Sequence, residues 1–277
     1  MPMPIRKAEQ SVLNAIGQTP MVRLNHVAPP DGAEIYIKLE YYNPTGSYKD
    51  RMALSMIEGA EARGELKPGM IVVEYTSGST GSSLAFVCGV KGYPLVIVSS
   101  DAFAKEKLQA MAILGAELDL VPSDGGKVSP ALFAEMERRA REIAATRPGF
   151  MTNQFHNPDA EKGFESLGRE IVEQFDGPIH GFVGAVGTAG MLMGVAHVLR
   201  ERTPRPWIVA LEPASSPIIT QGVSGSHHVD GVGAGHLPPL LDKAYYDEAR
   251  AIEEARPARW PAGWPARRAS SPARPRG

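Results

Sequence analysis

Ile71-Val72-Val73-Glu74-Tyr75 is an apolar, β-branched run that ends in Thr76-Ser77-Gly78-Ser79-Thr80-Gly81 and passes into the helix-like stretch 82–91. Strand, glycine-rich turn and helix in this order make half of a parallel crossover unit. The pattern recurs on both sides. Runs of strand character cover 35–39, 95–99, 117–121, 181–185 and 208–212, and helix-like stretches cover 51–63, 105–114, 129–146, 162–175 and 191–200. Strands alternating with helices predict a parallel sheet covered on both faces. The expected fold class is therefore α/β, doubly wound.

The chain has 277 residues, enough for about two domains. Apolar residues make 43% and charged residues 22%, an ordinary globular balance that excludes a wholly disordered chain. The net charge of −2 hides an asymmetry: residues 256–277 hold six Arg and no acid, leaving −8 on the rest. An acidic body argues against nucleic acid held by phosphate contacts. Cys88 is the only cysteine, so neither an intrachain disulfide nor a multi-cysteine metal site is expected, and a reducing, cytoplasmic setting fits. Residues 1–10 lack the apolar core of a signal peptide, and no run of about 18 apolar residues suggests a membrane span.

Two glycine-rich loops each follow a strand and open a helix. They are Thr76–Gly81 and Gly187-Thr188-Ala189-Gly190. Unpaired N–H groups and the positive dipole end at such a place suit phosphate or carboxylate. The alternative for either loop is a tight turn with a helix cap. Neither has the Walker or the dinucleotide spacing. A third segment, Asn43-Pro44-Thr45-Gly46-Ser47-Tyr48-Lys49-Asp50-Arg51, reads as a turn entering a helix. A lysine at a helix start faces a dipole that disfavours the cation and favours the nucleophilic neutral amine. A solvated lysine beside a turn is the alternative.

Six segments in order resemble the cysteine synthase family of pyridoxal-phosphate enzymes, the β-replacement group that includes cystathionine β-synthase. They are Ile16-Gly-Gln-Thr-Pro-Met-Val-Arg-Leu24, Lys38-Leu-Glu40 with Asn43-Pro44 and Ser47-Tyr-Lys-Asp-Arg51, Thr76-Ser-Gly-Ser-Thr-Gly81, Gln154-Phe-His-Asn-Pro158, Gly187–Gly190 and Gly231-Val-Gly-Ala-Gly235. The resemblance covers roughly residues 10–250. It implies two doubly wound parallel-sheet domains with the cofactor cleft between them: a larger one of 1–42 plus 154–252 and a smaller one of 43–153. It implies pyridoxal 5'-phosphate as cofactor. Lys49 would carry it as a Schiff base and then remove the Cα proton. Gly187, Thr188, Ala189 and Gly190 would cradle its phosphate. Thr76, Ser77, Thr80 and Gln154 would hold the substrate carboxylate. Ser79 stands where the family usually has an Asn that donates to the cofactor ring, and its reach is shorter.

The activity implied is β-replacement on an O-activated serine by sulfide or a thiol, giving cysteine or a relative, in a homodimer. Desulfhydrase or serine/threonine deaminase chemistry, and a non-catalytic remnant, are the alternatives. No metal site is expected: His227, His228, Asp230 and His236 read as ordinary loop residues. Cys88 reads as a small buried hydrophobe, and Asp50 and Arg51 as capping or pairing residues. The resemblance stops near residue 250, where five Pro join the six Arg of 256–277. Residues 253–277 are expected to be disordered. Read in the frame starting at the third codon base, 256–277 is compatible with a helix followed by Gly-Thr-Ser-Ser-Gly, the family's missing motif. A frameshift near 252–256, leaving the larger domain incomplete, is the expectation.

Overall fold

The computed structural model describes residues 8–25, 28, 31–233 and 235–254. The expected tail therefore lies outside the described residues from 255 on, as does Ala234. The chain begins with β1 (Met21–Arg23) and β2 (Tyr36–Lys38), followed by α1 (Lys49–Arg63), β3 (Ile71–Tyr75), α2 (Ser79–Lys91) and β4 (Leu95–Ser100). Then come α3 (Lys105–Ile113), β5 (Glu117–Val121), α4 (Pro130–Thr146), β6 (Gly149–Met151) and α5 (Pro158–Glu173). The last are β7 (Gly181–Ala185), α6 (Gly190–Arg202), β8 (Trp207–Pro213), α7 (Ile218–Gln221) and β9 (Glu248–Ile252).

Two sheets are parallel throughout, in the orders β5-β4-β3-β6 and β7-β8-β9. The strand expected at 35–39 belongs to neither. Its core, Tyr36–Lys38, pairs antiparallel with Met21–Arg23 in a separate two-stranded ribbon. Helix starts also move. α2 begins three residues before the expected 82, so Ser79 and Thr80 are the first residues of the helix and not part of a loop.

Period-two alternation divides the four-stranded sheet between two cores. Ile71, Val73 and Tyr75 join Leu132, Met136 and Ala140 of α4 on one face. Val72 and Ile97 point the other way, into a cluster holding Met52, Met56 and Ile57 of α1 and Leu84 of α2. That cluster continues through Phe164 and Leu167 of α5 and Leu192 and Met193 of α6 to Ile208 and Ala210 of β8. α1 is thus central, packed between α2 and α5. It approaches α5 at backbone contact: a Cβ on Gly163 would lie 2.7 Å from the Arg51 carbonyl oxygen. On the three-stranded sheet, Phe182 faces this core while Val183 points away and is 58% exposed. Trp207, whose register places it on the same outer face, is 54% exposed.

A buried ion cluster locks the start of α1. The Arg51 guanidinium meets Glu40 at 2.7 and 2.9 Å and Glu170 at 2.7 and 2.8 Å. Lys38 Nζ donates to Glu170 at 2.6 Å and to the Thr19 carbonyl at 2.5 Å. Burial pushes the Glu170 carboxyl up, but hydrogen bonds from Arg51, Lys38 and the Gln18 amide outweigh it and hold the group down at about 2. We expect Arg51→Met, which leaves Glu40 without its cation, to lower unfolding free energy by about 3–5 kcal/mol near neutral pH. A carboxyl depressed in the folded state stabilises fully above its ordinary value of 4.5 and stops doing so as pH falls toward 2. Denaturant midpoints measured against pH should therefore show the gap between the two proteins closing only in that acid window.

Candidate active site

The carboxyl ends of β3 and β7 open toward one cavity of about 410 Å³, and α1 brings Lys49 to its wall. The turn before α1 is fixed by its own side chains. Asp50 accepts from the Thr45 amide at 2.9 Å and the Thr45 hydroxyl at 2.5 Å, and Asn43 accepts from the Gly17 amide at 2.8 Å. Lys49 is therefore presented as the first residue of α1, only 6% exposed, with Nζ 3.0 Å from the Tyr48 hydroxyl.

The cavity is lined by Lys49, Thr76, Ser77, Ser79, Thr80, Gln154, Gly187 and Thr188, residues drawn from four distant parts of the sequence. Ala189 and Gly190 are buried behind this lining. A Cβ on Gly190 would meet Phe164 at an ordinary 3.5 Å and point away from any ligand. Gly187 is the constrained position, because a Cβ there would run into the Gly231 carbonyl oxygen. Residues 231–233 brace this turn through Gly233 N–H to Val186 O at 3.0 Å.

Side-chain capping differs among the helix starts. α4 and α5 start with side-chain caps, Ser129 accepting from Leu132 N–H and Asn157 from Asp159 N–H. α2 and α6 have no side-chain cap, as is also true of α1 and α3: the N-caps of α2 and α6 are Gly78 and the left-handed Ala189, φ 69°. First-turn amides left open at the positive end of a dipole suit two anions, one at each helix. With Lys49 supplying an amine on the same wall, this donor set fits a phosphate-bearing aldehyde cofactor together with a second anion.

Gln154 is 4% exposed and its amide orientation is forced. Tyr75 O can only accept, so Nε2 faces it at 3.2 Å, and Oε1 accepts from Thr80 Oγ1 at 2.7 Å. The Thr80 hydroxyl proton is thus committed to Gln154, whereas the Thr76 hydroxyl accepts from Gly78 N–H at 3.1 Å and keeps its own proton to donate. Ser79 lines the cavity and is exposed.

Sequence reasoning missed the rest of the wall. Tyr75 and Phe155 stack at 6.0 Å, and Phe103 and Phe133 meet at 6.0 Å beyond the ends of β4 and β5. Phe155 lies in the Gln154–Pro158 segment but drew no role there, and Tyr75, Phe103 and Phe133 carry no motif. The loop histidines go to separate partners. His227 Nε2 is 2.9 Å from Gly233 O, His228 is near Glu254, and Asp230 meets Lys107 at 3.0 Å. Among the described residues no group of three or more His, Cys, Asp or Glu could hold a metal. No helix among them is long and apolar enough to cross a membrane. Cys88 is buried, and burial pushes its thiol up to about 12, far from a reactive thiolate.

The family model described as pyridoxal-phosphate dependent enzyme matches residues 12–257. A cysteine synthase of Staphylococcus aureus is 41% identical over 244 residues, 87% of this chain and 77% of that protein. The crystal structure of a cysteine synthase from Entamoeba histolytica superposes with a TM-score of 0.83 at 35% identity, over 91% of this chain and 75% of that one. O-ureido-L-serine synthase superposes with a TM-score of 0.82 at 35% identity, over 90% and 77% of the two chains.

The constrained turn offers a direct test of the cradle. In Gly187→Ala the added methyl must displace residues 231–233 or move the turn. Losing one hydrogen bond to a charged phosphate costs about 1.5–3 kcal/mol. We expect pyridoxal-phosphate affinity, titrated by absorbance, to fall by about tenfold or more with the thermal midpoint little changed. Gly190→Ala should bind nearly as the parent does.

Proposed function

The chain belongs to the pyridoxal-phosphate dependent enzymes, in the family of the cysteine synthases, and we propose that it makes cysteine from an O-activated serine and sulfide. The observation that supports this most is the meeting of Lys49 with the glycine-containing starts of α2 and α6 around one cavity. Pyridoxal phosphate, when bound, supplies an electron sink for negative charge at the substrate Cα. The protein's residues do the rest. Gly187, Thr188, Ala189 and Gly190 present backbone N–H groups to the phosphate, with Gly187 and Thr188 at its surface. Lys49 would hold the cofactor through Nζ, and the same amine would serve as the base that takes the proton from the substrate Cα. Thr76, Ser77, the N–H groups of Ser79 and Thr80, and the remaining Nε2 proton of Gln154 hold the carboxylate, which fixes the Cα–H bond toward Lys49. Ser79, which lines the cavity, would donate its hydroxyl to the cofactor ring. Tyr75 and Phe155 wall the cavity with rings that exclude water, favouring addition of sulfide over hydrolysis.

The same reading takes 43–153 as a smaller domain, and 1–42 with 154–252 as the larger. It includes homodimer assembly and a cytoplasmic setting. It takes residues 253–277 as translated out of frame, after a shift near 252–256, a view favoured by Val183 and Trp207 lying open on a sheet of the kind ordinarily covered on both faces. A gene with that frame restored should yield a more soluble protein with higher activity. Equal solubility and turnover from both genes would remove the frame argument.

The activity itself is tested by mixing the cofactor-loaded protein with O-acetyl-L-serine and sulfide. We expect cysteine in excess of pyruvate. In Lys49→Ala the borohydride-reducible cofactor adduct and the product should both disappear. Pyruvate as the main product would make the enzyme an eliminating lyase.

A further inference from the structure

Glu74 is fully buried near the end of β3, and no cation pairs with it among the described residues. An unpaired carboxylate in such a place is costly and calls for a physical reason. Burial pushes its carboxyl up to about 7 against the opposing pull of its hydrogen bonds. Those bonds are the reason. Oε2 accepts from Thr152 Oγ1 at 2.7 Å and from Gln154 N–H at 3.0 Å, and Oε1 accepts from Tyr75 N–H at 2.8 Å. All three partners are donors, so an acceptor-only group is matched and an amide is not.

The three donors belong to one small device. Thr152 and Gln154 flank Asn153, whose backbone is left-handed at φ 50°. The Gln154 amide then returns to β3 through Nε2 to Tyr75 O and reaches the first turn of α2 through Thr80. Glu74 therefore holds both ends of the path that aims Gln154: the turn carrying its backbone, and the peptide unit next to the carbonyl that orients its side chain.

We propose that Glu74 is the positioning residue for substrate recognition, fixing the Thr152–Gln154 turn so that the Gln154 amide and the α2 start meet the amino-acid carboxylate. This rests on the assignment of that carboxylate to Gln154 and the Thr76–Thr80 turn. The α6 cradle shares none of these bonds, so the effect is confined to the substrate.

The test uses the cofactor-loaded protein, with O-acetyl-L-serine binding followed by the change in cofactor absorbance. Glu74→Gln keeps size and shape but sets an NH2 against at least one backbone N–H whichever way the amide turns, that of Tyr75 or that of Gln154. We expect the half-saturating O-acetyl-L-serine concentration and KM to rise about tenfold or more, as for loss of a hydrogen bond to a charged group. Pyridoxal-phosphate affinity should stay as it is and kcat at saturation should change about twofold or less. Thr152→Val removes one donor without touching Gln154 and should give a smaller shift of the same kind, whereas Thr152→Ser should restore the parent value. If Glu74→Gln does not fold, the Val and Ser variants of Thr152 decide. Unchanged O-acetyl-L-serine binding in a folded Glu74→Gln, or cofactor and substrate affinity falling together, overturns the proposal while leaving the carboxylate assignment standing. If Gln154→Ala binds O-acetyl-L-serine as the parent does, the carboxylate assignment falls and the proposal falls with it.

Discussion

Arg51 is shared by two carboxylates, and the geometry of the cavity begins there. Its side chain is 2% exposed, and it ties the short turn after β2, through Glu40, to α5, through Glu170. Lys38 completes a four-charge cluster whose formal sum is zero, the condition under which buried charges are tolerable. Arg51 lies two residues after Lys49 on the first turn of α1. A shift of α1 along its axis would break up to four charged hydrogen bonds at once. The nucleophilic amine is therefore held by contacts that do not themselves reach the cavity.

The starts of α2 and α6 offer the cavity backbone dipoles and not charged side chains. α2 and α6 begin without side-chain caps, and their first amides are the available donors. The glycine segment at 231–233 stiffens the second of these starts by packing on Gly187 and bonding Val186. A rigid backbone donor loses no side-chain entropy on binding, so ligand contacts of this kind cost less ordering than the same number made by lysines.

The parts of this architecture written as local pattern were legible in the sequence. β3, β5 and β7 begin and end where the apolar runs do, because each run is bounded by turn residues. Glycine and serine concealed the start of α2: Ser79-Thr80-Gly81 has poor helix propensity, yet the turn is helical because Gly81 packs closely on Met111 and Thr76. β9 was illegible for the opposite reason. Glu248-Ala-Arg-Ala-Ile252 is made mostly of helix formers, and it is a strand because β8 offers an open edge and Asp247 bonds both Ile208 and Arg200. The ribbon strand Tyr36–Lys38 looked like its parallel counterparts, since partner and direction are absent from a three-residue pattern. Lys49, Thr76, Ser77, Ser79, Thr80, Gln154, Gly187 and Thr188, which line the cavity, were legible as spacing plus resemblance. Tyr75, Phe155, Phe103 and Phe133 were not, because their role comes from which strand ends are neighbours in the sheet.

A common device appears at the end of an interior strand in each parallel sheet. Glu74 is the next-to-last residue of β3, and Glu212 is the next-to-last of β8. Glu212 is 5% exposed and accepts from Ile219 N–H at 2.6 Å, Thr220 N–H at 2.9 Å and the Thr220 hydroxyl at 2.6 Å. Both carboxylates face donors only, and both organise chain that has just left a sheet and has lost its ladder partners. A β-ladder satisfies backbone groups two at a time; past the strand end those groups need another acceptor or water. A carboxylate offers two oxygens on one flexible stem and can serve amides and a hydroxyl that are not in register. It does so without an opposing cation, so the turn it shapes is held by hydrogen bonds of fixed direction. At Glu74 that directionality has a use beyond stability, because the turn it shapes carries Gln154 to the cavity wall.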